Sequence, residues 1–178
     1  MDLGITGRTA LVLGAGGGLG SAIAVRLAEE GANVAAAGRT ADKIAETVKR
    51  VQSAGAKALP LTWDLGDIDS IDGHVSKIEN SLGPVDILVN NTGGPPPTPA
   101  AGQDAATWRA SFEQMILSVI VITDRVLPGM RERAWGRILT STSGGALSPI
   151  PTSRSPTPCA PACTHGRRRS PMRWAATV

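Results

Sequence analysis

The stretch Thr9-Ala10-Leu11-Val12-Leu13-Gly14-Ala15-Gly16-Gly17-Gly18-Leu19-Gly20 decides how the rest of the chain is read. A short apolar run, the pattern of a buried strand, passes straight into glycines. From Leu19 to Glu30, Ile23, Leu27 and several alanines then recur at helical spacing until Gly31 supplies a stop. Strand, loop and helix in this order leave unpaired N–H groups at a helix N-terminus. Glycines remove the Cβ atoms that would keep a ligand away, so a pyrophosphate can approach donors that the helix dipole already favours for negative charge. The spacing is G-x-x-x-G-x-G at Gly14, Gly18 and Gly20; a G-x-G-x-x-G pattern from Gly14 would need glycine at Leu19.

Outward from this loop, β-rich runs alternate with longer amphipathic ones, the pattern of βαβ units. Val34 to Ala37 is a second strand. Thr40 to Ala54 is a second helix, with Thr40 placed to cap it, Ile44, Val48 and Val51 on one face and Gly55 at its end. Ala58 to Thr62 and Ile68 to Leu82 repeat the pair. Val85 to Val89 is a fourth strand ending at Asn90-Asn91, one long helix runs from Asp104 to Glu132, and Arg137 to Thr140 is a fifth strand. The expected fold is α/β, a doubly wound parallel sheet that stops at strand 5.

At 178 residues, with 42% hydrophobic residues and mean hydropathy +0.01, the composition is that of one globular domain. The longest apolar stretch, Met115 to Thr123, is broken by Ser118 and is too short to span a bilayer. The N-terminus lacks the pattern of an export signal, so the cytoplasm is the expected compartment and no membrane partner is expected. A formal charge of +3 invites a nucleic-acid reading, which the distribution of charge removes. Residues 1–151 hold all 15 acidic and 13 of the 18 basic residues, a net −2, whereas the last 27 hold five arginines and no acid. That tail also contains both cysteines, no Leu, Ile or Phe and a single Val, so it has little with which to form a core. Two regions follow: a dinucleotide-binding domain over 1–151 and an irregular basic Pro/Arg-rich tail over 152–178.

Four motifs in order resemble the short-chain dehydrogenase/reductase family from about Leu3 to Pro151. The first is the glycine loop, where Gly14, Gly16, Gly18, Leu19 and Gly20 are the candidate cofactor-binding positions. The second is Asp64-Leu65 after the third strand, which resembles the family's pair bordering the adenine, with Asp64 accepting from the exocyclic amine. The third is Asn90-Asn91-Thr92-Gly93, similar to the N-N-A-G motif that braces the central sheet, with Asn91 and Gly93 at the cofactor. The fourth is Trp135-Gly136-Arg137-Ile138-Leu139 leading to Ser141-Thr142-Ser143, similar to the strand that carries the active-site serine. The resemblance implies a Rossmann-like fold, hydride transfer between a nicotinamide and a carbonyl or alcohol substrate, and a tendency to homo-oligomerise. Cofactor choice is argued from charge. An acid about 20 residues beyond the glycine loop suits a ribose 2′-OH and an arginine suits a 2′-phosphate. Here Arg39 follows the second strand and no acid appears before Asp42, so NADP(H) is expected over NAD(H).

The family's proton-transfer residues are not matched. A phenol with an ordinary pKa near 10 needs a neighbouring cation to exchange protons at neutral pH. The chain has no tyrosine at all. The family's spacing from Ser143 leads to Pro156 for Tyr and Ala160 for Lys, and Met115 stands where the helix Asn is usual. Only Ser143 remains as a catalytic candidate, able to orient an oxygen but not to supply a proton. An impaired or inactive enzyme is therefore expected, with a non-catalytic dinucleotide-binding or interaction module as the alternative. Read one base out of frame with permitted codons, the tail from Thr152 can encode an amphipathic helix resembling the family's next element. Truncation by a frameshift near codon 151 and a divergent C-terminus are the two explanations. Loss of that helix is expected to bare the fifth strand, weaken oligomerisation and leave the chain marginally stable. Cys159, Cys163 and His165 lack a fourth ligand and no metal site is expected. His74 reads as a surface residue, and Trp63, Trp108 and Trp135 as packing groups.

Overall fold

The computed structural model describes residues 3–94 and 102–142. Ser143, the run Pro95–Pro97 and the tail over 152–178 lie outside the described residues. The sheet contains β1 (Thr9–Val12), β2 (Asn33–Gly38), β3 (Ala58–Thr62), β4 (Val85–Asn90) and β5 (Arg137–Thr140). All pairings are parallel, in the order β3-β2-β1-β4-β5. The helices are α1 (Gly18–Glu29), α2 (Ala41–Ser53), α3 (Ile71–Leu82), α4 (Ala105–Phe112) and α5 (Ser118–Glu132). This is the Rossmann-like α/β sheet expected from the sequence.

Successive side chains of a strand point to opposite faces, and helices cover both faces of a parallel sheet. Ala10 and Val12 of β1 therefore join Val34, Ala36, Ile87 and Val89 in one cluster with Ala24, Ala28, Ile44, Val48 and Val51 from α1 and α2. Leu11 joins Ala35, Ala37 and Leu88 in the other, against Val75 and Ile78 of α3 and Ile122, Val126 and Met130 of α5. The alanines of β2 leave room for close packing. Every residue of β1 and β4 is buried.

Two expected helices differ from the structure. The third begins with a 3-10 turn over Ile68–Ser70 before α3. The long helix is interrupted by a π turn over Glu113–Leu117 that separates α4 from α5. Fully buried Ser118 donates through Oγ to the Gln114 carbonyl at 2.8 Å, competing with the backbone for that acceptor. Thr40 occupies the N-cap of α2 in an extended conformation, but its side chain makes no capping bond.

At the end of the sheet where β1 and β4 begin, buried Asp86 accepts from the Thr9 N–H at 3.2 Å. Arg8 and Arg133 flank its other oxygen at 3.6 and 3.4 Å. The guanidiniums of Arg8 and Arg137 lie 4.1 and 4.9 Å from the centre of the Trp135 ring, linking the entrances of β1 and β5. Arg125 ties α5 to α3 through Asp72 at 2.6 Å and Glu79 at 2.9 Å. Both contacts increase the proton affinity of its guanidinium. Among the described residues β5 pairs only with β4 and is exposed along its whole length, with Leu139 52% exposed.

Candidate functional site

The C-terminal ends of β1, β2, β3 and β4 open onto a cavity of about 380 Å³. In open α/β sheets ligands bind in the crevice beyond these strand ends, where connections leave in opposite directions. Here β1 lies between β2 and β4, and the glycine loop emerges from it.

The loop's shape is set by close backbone approach. Gly14 has φ +63°, and a Cβ there would stand 2.3 Å from the Asn91 carbonyl oxygen. A Cβ on Gly20 would stand 2.2 Å from the Gly14 oxygen. Neither position accepts any other residue without moving backbone. Asn91 closes the contact from β4 by donating through Nδ2 to the Leu13 carbonyl at 3.3 Å. By contrast, a Cβ on Gly18 would meet nothing within 4 Å, and Gly18 lines the cavity.

α1 begins at Gly18, with Gly17 as an N-cap that has no side chain to offer. The Ser21 N–H bonds to the Gly17 carbonyl, whereas the N–H groups of Gly18, Leu19 and Gly20 have no backbone acceptor among the described residues. A helix start with free donors and no Cβ in front of it fits a pyrophosphate. The residues present therefore fit a dinucleotide, whose nicotinamide, when bound, supplies hydride chemistry.

The structure brings together most of the expected site. Gly14, Gly16, Gly18, Leu19, Gly20, Arg39, Leu65, Asn91 and Gly93 all line the cavity. Asp64 stands at its margin between two lining residues, exposed, with Oδ1 accepting from the Gly66 N–H at 3.0 Å and from Gln114 Nε2 at 3.2 Å. Ser143 lies outside the described residues, and Met115 falls within the π turn.

Thr40, Lys43, Trp63, Thr92 and Gln114 also line the cavity. Lys43 was missed in the sequence, although a cation one turn beyond Arg39 is a signal that could have found it. The Gln114 contact, which crosses from β3 to the π turn, was not. Trp63 is 2% exposed, and its Nε1 is buried without a hydrogen-bond partner among the described residues. Its ring stacks on His74, with centres 4.6 Å apart and planes inclined at 24°. His74, read as a surface residue, is partly exposed on α3 and packs its inner ring face on the cavity-lining Trp63. Burial and, secondarily, Lys77 lower its pKa from the ordinary value, against an opposing pull from Asp67.

The sequence pattern of the short chain dehydrogenase family matches residues 8–155. The chain belongs to this family. Nodulation protein G of Azospirillum brasilense is 40% identical to this chain over 137 residues, which cover 76% of the chain and 56% of that protein. Ketoacyl reductase HetN of Nostoc sp. is 34% identical over 139 residues, covering 78% of the chain and 48% of the relative. The chain thus spans about half the length of these curated relatives. Among solved structures, a 7α-hydroxysteroid dehydrogenase in complex with NADH and 7-oxo glycochenodeoxycholic acid superposes with a TM-score of 0.81 at 31% identity, covering 90% of this chain and 63% of that one. L-sorbose reductase from Gluconobacter frateurii, in complex with NADPH and L-sorbose, gives 0.79 at 30% identity, with coverage of 84% and 57%. Among the described residues no helix is long and apolar enough to cross a membrane, and no cluster of His, Cys, Asp or Glu could hold a metal.

Proposed function

We propose that the chain is an NADP(H)-binding oxidoreductase domain of the hydride-transferring type, acting in the cytoplasm on a carbonyl or alcohol, with impaired proton transfer. In this reading residues 1–151 are the dinucleotide-binding domain, residues 152–178 an irregular tail, and Ser143 the one remaining catalytic candidate. The pyrophosphate meets Gly18, Leu19 and Gly20, and the adenine lies by Asp64 and Leu65. Homo-oligomerisation of the family type is weakened, and no nucleic acid takes part.

The observation that carries the reading is the pairing of free helix N–H groups with cations on one cavity. Arg39 and Lys43 both line it, and among the described residues neither forms an ion pair. Two unpaired cations at the start of α2 are complementary to a 2′-phosphate, because charge-assisted hydrogen bonds to phosphate are the strong ones. Titration of the 178-residue chain by nicotinamide fluorescence tests this. NADPH is expected to bind about tenfold more tightly than NADH; equal affinity overturns the cofactor preference, and no binding of either overturns the site.

The absence of tyrosine favours a second reading, a dinucleotide-binding module without catalysis. Binding of NADPH with no turnover of any carbonyl supports it. Turnover lost in Ser143→Ala supports the enzyme.

A further inference from the structure

An exposed aspartate on a loop ordinarily samples several rotamers, and a carboxylate that rotates is a poor reader of a base. Asp64 is exposed, yet both of its hydrogen bonds among the described residues fall on Oδ1: one from the Gly66 N–H at 3.0 Å and one from Gln114 Nε2 at 3.2 Å. Two donors on the same oxygen fix the carboxylate plane and leave Oδ2 as an acceptor without a partner among the described residues. Gln114 comes from the π turn, and its own backbone is anchored by the bond from fully buried Ser118 to its carbonyl. It lines the same cavity as Leu65 and Trp63, the neighbours of Asp64.

We propose that Gln114 is a positioning residue for base recognition: it holds Asp64 so that Oδ2 accepts from the exocyclic amine of adenine, and the pair thereby selects a 6-amino purine over a 6-oxo purine. A 6-oxo purine presents an acceptor where adenine presents a donor, so it sets two acceptors against each other and leaves the carboxylate unpaired. The inference rests on the dinucleotide reading of the cavity.

The test compares NADPH with reduced nicotinamide hypoxanthine dinucleotide phosphate, which carries the same nicotinamide reporter and differs at the base. The 178-residue chain is expected to prefer NADPH by about tenfold or more, the range of one charge-assisted hydrogen bond. Gln114→Leu should bring the ratio toward one, mainly by weakening NADPH. Gln114→Glu, which keeps the side-chain length and sets a like charge against Asp64, should do the same. A general loss of structure would weaken both dinucleotides together and leave the ratio unchanged. If the two variants bind NADPH and keep the wild-type ratio, the inference falls and the dinucleotide reading stands. If the wild type shows no preference, the inference also falls, and if it binds neither dinucleotide both readings fall.

Discussion

On the β2 side of the central strand, α2 buries Ile44, Thr47, Val48 and Val51, and the Thr47 hydroxyl donates to the Ala15 carbonyl at 2.8 Å within the glycine loop. On the β5 side, α4 buries none of its residues, Phe112 and Ile120 are about half exposed, and all of β5 faces outward among the described residues. One flank is supported by its own hydrophobic faces. The other is held by α5 through Ile122, Val126 and Met130, while α4 and β5 present apolar surface uncovered among the described residues. The glycine loop thus rests on the flank whose helix is packed against the core, whereas the face where the family's substrate chemistry would lie has less support among the described residues. Cofactor binding and catalysis can therefore fail separately.

The largest expected effect is within the glycine loop, on the better-packed flank. Gly20→Val drives side-chain carbons into the Gly14 carbonyl, so destabilisation of more than ~3 kcal/mol and loss of NADPH binding are expected in urea melts and titrations. Next comes a paired test of the flanks themselves. Ile44→Ala on α2, buried on the β2 side, should cost about 2–5 kcal/mol, against within ~0.5 kcal/mol for Leu139→Ala on β5. Equal costs would mean that β5 is covered and would remove the contrast.

Arg39→Ala should reduce NADPH affinity about tenfold and leave NADH little changed, without altering the urea midpoint. The smallest effect is in pH. The folded-state pKa of His74 lies below its unfolded value, so the unfolded chain binds the proton more readily. The group's contribution to stability is full above the unfolded value near 6.5 and is lost as pH falls from there through the lower folded value. Replacing it in His74→Gln should flatten that part of the stability curve.

The sheet was legible because periodicity and glycine stops are local signals. The expected β3 and β5 have the observed bounds, and β2 gains one residue at each end. The glycine loop was read from its spacing, Asn91 from a family resemblance and Arg39 from charge. What could not be read depends on groups distant in sequence. The π turn is invisible to a helical repeat that continues on both sides of it. The stacking of His74 on Trp63 is invisible until the fold brings the rings together, and Trp135, a packing group as read, packs against the core with Arg8 and Arg137 over its ring. Thr40 was identified at the correct position, but its hydroxyl does not bond to the helix start.

The central position of β1 also orders events in time. The cradle signature is complete by Gly20, but Leu13 N–H bonds to the Val89 carbonyl and Asn91 bonds back to Leu13, 78 residues away. A chain emerging from the ribosome therefore carries the entire glycine motif through the synthesis of three helices before the strand that closes it exists. A nascent chain halted at Leu82 should present the motif in full and hold no dinucleotide, because non-local pairing must follow the synthesis of both partners.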